Sequence, residues 1–124
     1  MEKKTVLAID DNKMQLDLFE KMLGAKYDLK TANSASMAIN YMNSGLADVI
    51  LLDIEMPNIT GFEFLHDIRR IPSYMRVPII IVSGKSGAEF FEQARNSGAF
   101  DVLSKPVNNE TLVGIIEKAL AQND

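Results

Sequence analysis

The residues that could carry chemistry share one position in the sequence, directly behind short apolar runs. Asp10 and Asp11 follow the first such run, Asp53 a central one, Ser83 the next, and Lys105 stands just behind the last. If these runs are parallel strands of one sheet, their carboxyl ends meet at one edge, where open α/β sheets bind ligands. Three carboxylates, a hydroxyl and an ammonium group would then converge.

The adjacent carboxylates Asp10 and Asp11 raise the question of what compensates their charge. Such groups repel each other and resist leaving water, so they persist where water or a cation offsets them. Together with Asp53 they could hold a hard divalent cation, and Mg²⁺ is favoured because it accepts few carboxylates and pairs with phosphate oxygens. Lys105 and Ser83 could then engage a phosphoryl group, which leaves one carboxylate free as a nucleophile.

Each of these residues also has a structural explanation when it is taken singly. The Asp10-Asp11 pair could cap a helix, Ser83 could belong to a turn, and Lys105 could be a solvated surface lysine. Asp53 is harder to explain in this way, because a charge that ends an apolar run is costly to bury. Their joint placement at four strand ends favours a site.

Length and composition restrict the class of protein. A chain of 124 residues predicts one domain over residues 1–124. The net charge of −4 and the scattered basic residues argue against direct binding of nucleic acid. The absence of cysteine excludes disulfides and thiolate metal sites, and no apolar run suits a signal peptide or a membrane span. We therefore expect a cytoplasmic protein without membrane contact.

The apolar runs predict five strands separated by helices. The predicted strands are 5–9, 27–31, 49–52, 77–82 and 100–103. The second is the least apolar and suits a sheet edge. Stretches with helical spacing lie between the runs, including Met14, Leu18 and Met22 with Phe19. This alternation indicates a parallel sheet with right-handed crossovers and helices on both faces.

Local signals predict where the helices begin and end. The pairs Asn33-Ser34 and Asn108-Asn109 are typical helix starts. Gly24, Gly45 and Gly98 each follow a periodic stretch, where a left-handed helix stop favours a residue without a Cβ. The methionines fall mostly at helical positions and are expected to fill the core.

The same residues identify a family resemblance that covers nearly the whole chain. The sequence resembles the receiver domain of two-component response regulators, most closely the single-domain, chemotaxis-type regulators. The resemblance is carried by Asp10-Asp11, the segment LLDIEMPNITG at 51–61, Ser83 behind IIIV, Gly98-Ala99, and Lys105-Pro106. It implies a flavodoxin-like, doubly wound five-stranded parallel sheet of order 2-1-3-4-5 with five helices.

The resemblance also implies a function and roles for the site residues. Asp53 would take a phosphoryl group from the phosphohistidine of a sensor histidine kinase or phosphotransfer protein. Asp11 and Asp53 would ligate Mg²⁺ with the backbone carbonyl of Glu55, and Asp10 would act mainly through a water. Lys105 would pair with the phosphoryl group, Ser83 would move to donate to it, and the peptide before Pro106 would be cis. The domain would catalyse only its own phosphorylation and dephosphorylation.

Output would pass to a downstream protein partner through the face of helix four, strand five and helix five, with the chain a monomer or a weak dimer. The aromatic residue expected three positions before the lysine is Val102 here, whose stiff side chain has no ring to report the state of the site. Phe100 could supply apolar contact surface on the same strand face.

A further hypothesis is that Glu55 and Lys85 pair across the site mouth and slow the entry of water.

Two rival classes stay open at this point. A carrier of a flavin phosphate could use the same sheet order, but phosphate cradles need glycine or hydroxyl residues where this chain has Asp10-Asp11. A Mg²⁺-dependent phosphohydrolase could use Asp53 as its nucleophile. It would also need a second carboxylate as general acid, for which Glu55 is the nearby candidate, and a cap that excludes water.

Overall fold

The computed structural model describes residues 3–56 and 61–122. Within these residues, five parallel strands form one sheet of order β2-β1-β3-β4-β5. The strands are β1 Thr5–Ile9, β2 Asp28–Ala32, β3 Val49–Asp53, β4 Ile79–Ser83 and β5 Asp101–Ser104. The helices are α1 Lys13–Leu23, α2 Ala35–Ser44, α3 Gly61–Arg69, α4 Ala88–Asn96 and α5 Asn109–Gln122, with a short 3-10 helix at Pro72–Tyr74. The predicted fold and strand order are confirmed.

The central strands are covered on both faces, as their continuous apolar runs predict. Every residue of β3 and β4 is buried. Because side chains alternate along a strand, neighbouring residues enter different layers. Leu7, Ile9, Ile50, Leu52, Ile79 and Ile81 pack with α2, α3 and α4, and Val6, Ala8, Val49, Leu51, Ile80 and Val82 pack with α1 and α5. Each buried leucine or isoleucine stabilises the fold by about 1.5–3 kcal/mol.

Three helices begin at side chains that accept backbone N–H groups of the first turn. Asn12 Oδ1 accepts the N–H of Met14 at 2.9 Å, Ser34 Oγ that of Met37 at 3.1 Å, and Asn108 Oδ1 that of Thr111 at 3.1 Å. The predicted starts at 33–34 and 108–109 are confirmed. For α1 the cap is Asn12, so the two aspartates before it are not needed for this purpose.

The buried face of α1 differs from the predicted one. Leu16, Phe19 and Leu23 are buried, whereas Met14 is 76% exposed and Leu18 is 45% exposed. Residues three and four apart share a helix face, so the stripe through Phe19 excludes Met14 and Leu18 from the core. The prediction that placed these two on the apolar stripe is wrong.

Methionine also serves less often as core filler than predicted. Met42 and Met56 are buried, in accordance with the expectation. Met14, Met37 and Met75 are among the exposed large hydrophobic residues. Helical position alone therefore did not decide which methionines the core includes.

Gly98 is the one of the three predicted stops that adopts a left-handed conformation, with φ +95°. Gly24 and Gly45 have φ −60° and −128°, so the predicted left-handed stops are wrong there. At both positions a neighbouring group lies too close for a side chain, which explains the glycine. A Cβ on Gly24 would lie 2.7 Å from the carbonyl oxygen of Glu20, and one on Gly45 would lie 2.9 Å from the ring of Tyr41.

Side-chain hydrogen bonds fasten the amino edge of the sheet, by which we mean the edge where the strands begin. The Tyr74 hydroxyl donates to the carbonyl of Gly45 at 2.7 Å. The Arg69 guanidinium donates to the carbonyls of Tyr74, Val77 and Gly98. These bonds tie together the segments that lead into β3, β4 and β5. Burial raises the pKa of Tyr74 to about 12.

No helix within residues 3–56 and 61–122 combines the length and the apolar character that crossing a membrane requires.

Candidate functional site

The loops behind β1 and β3 hold their aspartates in the same way. Asp10 Oδ1 accepts the N–H of Asn12 at 2.9 Å, and Asp53 Oδ1 accepts the N–H of Glu55 at 2.9 Å. Each is an Asx turn, in which a side chain bonds the backbone two residues ahead. Both aspartates are almost fully buried, at 1% and 4% exposure. One oxygen of each is thereby fixed to its loop, and the other remains for contacts across the site.

The three predicted carboxylates come together at the carboxyl edge, where the strands end. One oxygen each from Asp10, Asp11 and Asp53 lies within 4.8 Å of the others. Burial raises the pKa of Asp10; the N–H of Asn12 opposes this shift and the charge of Asp53 adds to it. An oxygen-only donor set of this compactness suits a hard cation such as Mg²⁺.

Lys105 reaches this cluster from the far side of the sheet, behind β5. Its Nζ lies 3.2 Å from Asp10 Oδ2 and 3.3 Å from Asp53 Oδ2. Burial lowers the pKa of Lys105, but the charges of the two aspartates outweigh burial, so the pKa is raised overall and the ammonium form is stabilised. The Lys105–Pro106 peptide is cis, as the resemblance implies.

Ser83 ends β4 on the flank of the cluster and is fully buried. Its hydroxyl donates to Glu55 Oε1 at 2.6 Å, and the N–H of Gly84 donates to the same oxygen at 2.6 Å. The hydroxyl oxygen in turn accepts the N–H of Lys85 at 3.0 Å. The bonds from Ser83 and then Gly84 lower the pKa of Glu55, so its side chain is a carboxylate.

The side chain of Glu55 is the functional feature that sequence reasoning missed. The hypothesis paired it with Lys85. Among the described residues its carboxylate accepts hydrogen bonds from Ser83 and Gly84, while the charge of Lys85 contributes only a smaller lowering of its pKa. The sequence analysis expected the backbone carbonyl of Glu55 at the metal site and its side chain at the site mouth, but it did not predict a contact with Ser83. The sequence did contain a signal for this contact. Glu55 follows Asp53 by two residues, and the strand that ends at Asp53 neighbours the strand that ends at Ser83. Part of the segment LLDIEMPNITG, residues 57–60, lies outside the described residues.

Val102 and Phe100 enter different layers. Val102 packs against the layer of α2, α3 and α4, and Phe100 against that of α1 and α5. The expectation that they share a strand face is wrong, because β5 begins only at Asp101 and strand alternation does not extend back to Phe100. Beside Val102, a groove of about 210 Å³ is lined also by Phe91, Arg95 and Asp101.

Comparison with known sequences places most of the chain in one family. Residues 6–117 match the model of the response regulator receiver domain. A probable cyclic di-GMP phosphodiesterase of Vibrio cholerae is 32% identical over 104 residues, and a protein-glutamate methylesterase/protein-glutamine glutaminase of Treponema denticola is 33% identical over 116 residues. These alignments include 84% and 90% of this chain but 24% and 31% of the relatives, so the chain spans less than a third of their length.

Solved structures agree over almost the whole chain. The chemotaxis response regulator CheY4 of Vibrio cholerae matches with a TM-score of 0.89 and 31% identity, covering 95% of this chain and 99% of that one. A two-component response regulator of Clostridium difficile matches with a TM-score of 0.90 and 25% identity, covering 98% and 99%. Together with the sheet order and the matched residues 6–117, these findings show that the chain belongs to the response regulator receiver domains of two-component signalling.

Proposed function

We propose that Asp53 accepts a phosphoryl group from the phosphohistidine of a sensor histidine kinase or a phosphotransfer protein. One observation carries this proposal: Asp53 lies at the centre of the carboxyl edge, and its Oδ2 is 3.3 Å from Lys105 Nζ. Its other oxygen is held by the N–H of Glu55. The carboxylate is therefore fixed with one oxygen directed to a positive charge.

In this reaction the bond from phosphorus to the donor's imidazole nitrogen breaks, and a bond from phosphorus to a carboxylate oxygen of Asp53 forms. Catalysis of phosphoryl transfer consists mainly of positioning and neutralising charge. The Asx turn positions the acceptor carboxylate. The ammonium of Lys105, which contacts Asp53, can move to a phosphoryl oxygen and neutralise its charge. The hydroxyl of Ser83 supplies a further donor once it leaves Glu55.

The acidic cluster fits a requirement for Mg²⁺. Asp11 and Asp53 would hold the ion with the backbone carbonyl of Glu55, and Asp10 would act through a water. The support is the spacing of the three carboxylates, within 4.8 Å. Bound Mg²⁺ would offset their mutual repulsion and neutralise charge on the phosphoryl group.

We further propose that residues 1–124 act as one receiver unit in the cytoplasm, as a monomer or weak dimer without direct contact to nucleic acid. Output would pass to a protein partner through α4, β5 and α5. The groove beside Val102 supports this use of the face, because Phe91 and Val102 line it with apolar side chains and Arg95 and Asp101 add charges. A phosphoryl group would act by shifting the populations of two arrangements of this face.

The rival phosphohydrolase has less support. A general acid must carry a proton that it can give to the leaving group. The hydrogen bonds of Ser83 and Gly84 lower the pKa of Glu55, which keeps this side chain ionised at neutral pH. The flavin carrier is disfavoured by the charges of Asp10 and Asp11 where a phosphate cradle would need donors.

Labelling with radioactive acetyl phosphate tests the proposal. The unaltered protein should take up label in Mg²⁺ and lose this ability in excess EDTA, whereas Asp53→Asn should take up none. Asp67→Asn, which removes an exposed carboxylate from α3, is the matched control and should label normally. Labelling of Asp53→Asn at the rate of the unaltered protein, or labelling that ignores Mg²⁺, would refute the proposal.

A further inference from the structure

A single oxygen of Glu55 takes two short hydrogen bonds at the mouth of the site. Ser83 Oγ and Gly84 N each lie 2.6 Å from Oε1. Ordinary N–H to oxygen distances are about 2.9–3.0 Å, and shorter ones are typical of charged acceptors. Ser83 has no exposure to solvent, so its hydroxyl has no bulk water as an alternative partner.

The register of the sheet makes this contact possible. Asp53 pairs with Val82, so Ser83 lies one residue beyond the pair and faces the loop that carries Glu55. The carboxylate of Glu55 can therefore reach the residues that flank Asp53 from the β4 side. Gly84 adds to this closeness, since a Cβ on it would lie 3.4 Å from Oε1.

The two donors have limited capacity. A serine hydroxyl has one proton to donate, and a backbone N–H has one. Neither can fully serve the Glu55 carboxylate and a second anionic acceptor at once. A phosphoryl group on Asp53 would need the same hydroxyl, and it brings strongly charged acceptor oxygens to the neighbourhood of Glu55.

We propose that the carboxylate of Glu55 is an internal latch, which holds Ser83 and Gly84 in the unmodified protein and competes with the phosphoryl group for them. This inference rests on the proposed function of Asp53 and adds a regulatory residue to it. Phosphorylation must displace Glu55 before Ser83 can turn to the phosphoryl oxygens. The latch thus weakens the modified state and sets how readily the domain switches.

A simple charge effect has to be separated from the latch, because any anion near Asp53 disfavours a phosphoryl group. Glu55→Asp keeps the charge but withdraws the carboxylate by one methylene, so it releases the donors without changing the charge. Glu55→Gln keeps the length and removes the charge, which weakens the hydrogen bonds. Glu92→Gln, which neutralises an exposed glutamate of α4, controls for net charge.

The test is a titration with beryllofluoride in Mg²⁺, followed through the amide NMR signal of Gly84. We expect Glu55→Asp to bind beryllofluoride roughly tenfold more tightly than the unaltered protein, and Glu55→Gln to bind more tightly as well. In both variants the Gly84 signal should move upfield before ligand is added, because its short bond to a carboxylate is lost in Glu55→Asp and weakened in Glu55→Gln.

Glu92→Gln should match the unaltered protein in affinity and in the Gly84 signal. If Glu55→Asp binds beryllofluoride no more tightly than the unaltered protein while Glu55→Gln does, charge alone explains the result and the latch is overturned. If neither variant gains affinity, the latch is likewise overturned, and the proposed function of Asp53 stands. Failure of the unaltered protein to bind beryllofluoride in Mg²⁺ would instead remove the proposed function, and the latch with it.

Discussion

Lys105 and Asp10 are joined by a 3.2 Å hydrogen bond between the loop behind β5 and the loop behind β1. The aspartate is 1% exposed, whereas the lysine side chain retains a quarter of its exposure. Strands β3 and β4 lie between the strands that carry them. The buried carboxylate thus depends for its counter-charge on a residue 95 positions further along the chain.

Loss of this counter-charge should destabilise the fold in the absence of Mg²⁺. Lys105→Met leaves Asp10 and Asp53 buried with their repulsion uncompensated, and we expect the free energy of unfolding in EDTA to fall by about 2 kcal/mol. Added Mg²⁺ should stabilise this variant more than the unaltered protein, because a cation offsets the same charges. Urea denaturation with and without Mg²⁺ measures both effects.

The control for this prediction is Lys13→Met, which removes an exposed ion pair with Asp17. Exposed pairs contribute about 0–1 kcal/mol, so its effect should be small and independent of Mg²⁺. Equal effects of the two lysine substitutions would contradict the role assigned to Lys105.

Tyr74 should make the stability of the fold sensitive to alkaline pH. Burial raises its pKa to about 12 from an ordinary value of 10.0. Between these values the unfolded state has lost the proton and the folded state keeps it, so the stabilisation by Tyr74 is full below pH 10 and is lost as pH rises towards 12. Tyr74→Phe has no such proton and also lacks the bond to Gly45.

We therefore expect Tyr74→Phe to be about 1–2 kcal/mol less stable than the unaltered protein at pH 8. That difference should narrow between pH 10 and 11.5. Urea denaturation over this pH range gives the comparison. A difference that stays constant up to pH 11.5 would show that Tyr74 does not hold its proton more tightly in the folded state.

Two glycines should respond to alanine with opposite sign. Gly98 has φ +95°, so Gly98→Ala should destabilise by about 1–2 kcal/mol through backbone strain alone, since its nearest neighbour is 3.9 Å from the added Cβ. Gly114 lies within α5 with nothing within 4 Å of an added Cβ, so Gly114→Ala should stabilise by about 1 kcal/mol. Thermal unfolding of both variants tests this contrast, which would fail if both changes had the same sign.

The sheet was readable from the sequence because its signals are local. Runs such as 49–52 have no polar residue to face solvent, which requires cover on both sides and hence the parallel arrangement. The same logic predicted the convergence of Asp10, Asp53 and Lys105, because carboxyl ends of parallel strands share an edge. The 4.8 Å cluster of Asp10, Asp11 and Asp53 and the contacts of Lys105 with two of these aspartates show that geometry, whereas the chemical roles of these residues stay proposals.

The features that were missed depend on distance in space. In α1 two overlapping stripes are apolar, and only packing selects the one through Leu16 and Phe19 over the one through Met14. Gly45 is required by the nearby ring of Tyr41, which no turn rule anticipates. The contact of Glu55 with Ser83 depends on the register of β3 and β4 and on one rotamer, neither of which the sequence states.

Arg69 donates hydrogen bonds to three backbone carbonyls, and the Tyr74 hydroxyl donates to a fourth. All four carbonyls lie in the segments that precede β3, β4 and β5. None of these bonds draws on a group at the opposite edge, where Asp53 and Lys105 lie. The crossover connections are therefore anchored independently of the site, and its loops can exchange partners without loosening the anchor. If Asp53 is phosphorylated and dephosphorylated repeatedly, as we propose, this separation lets the charges at the carboxyl edge change while the hydrogen bonds at the amino edge stay in place.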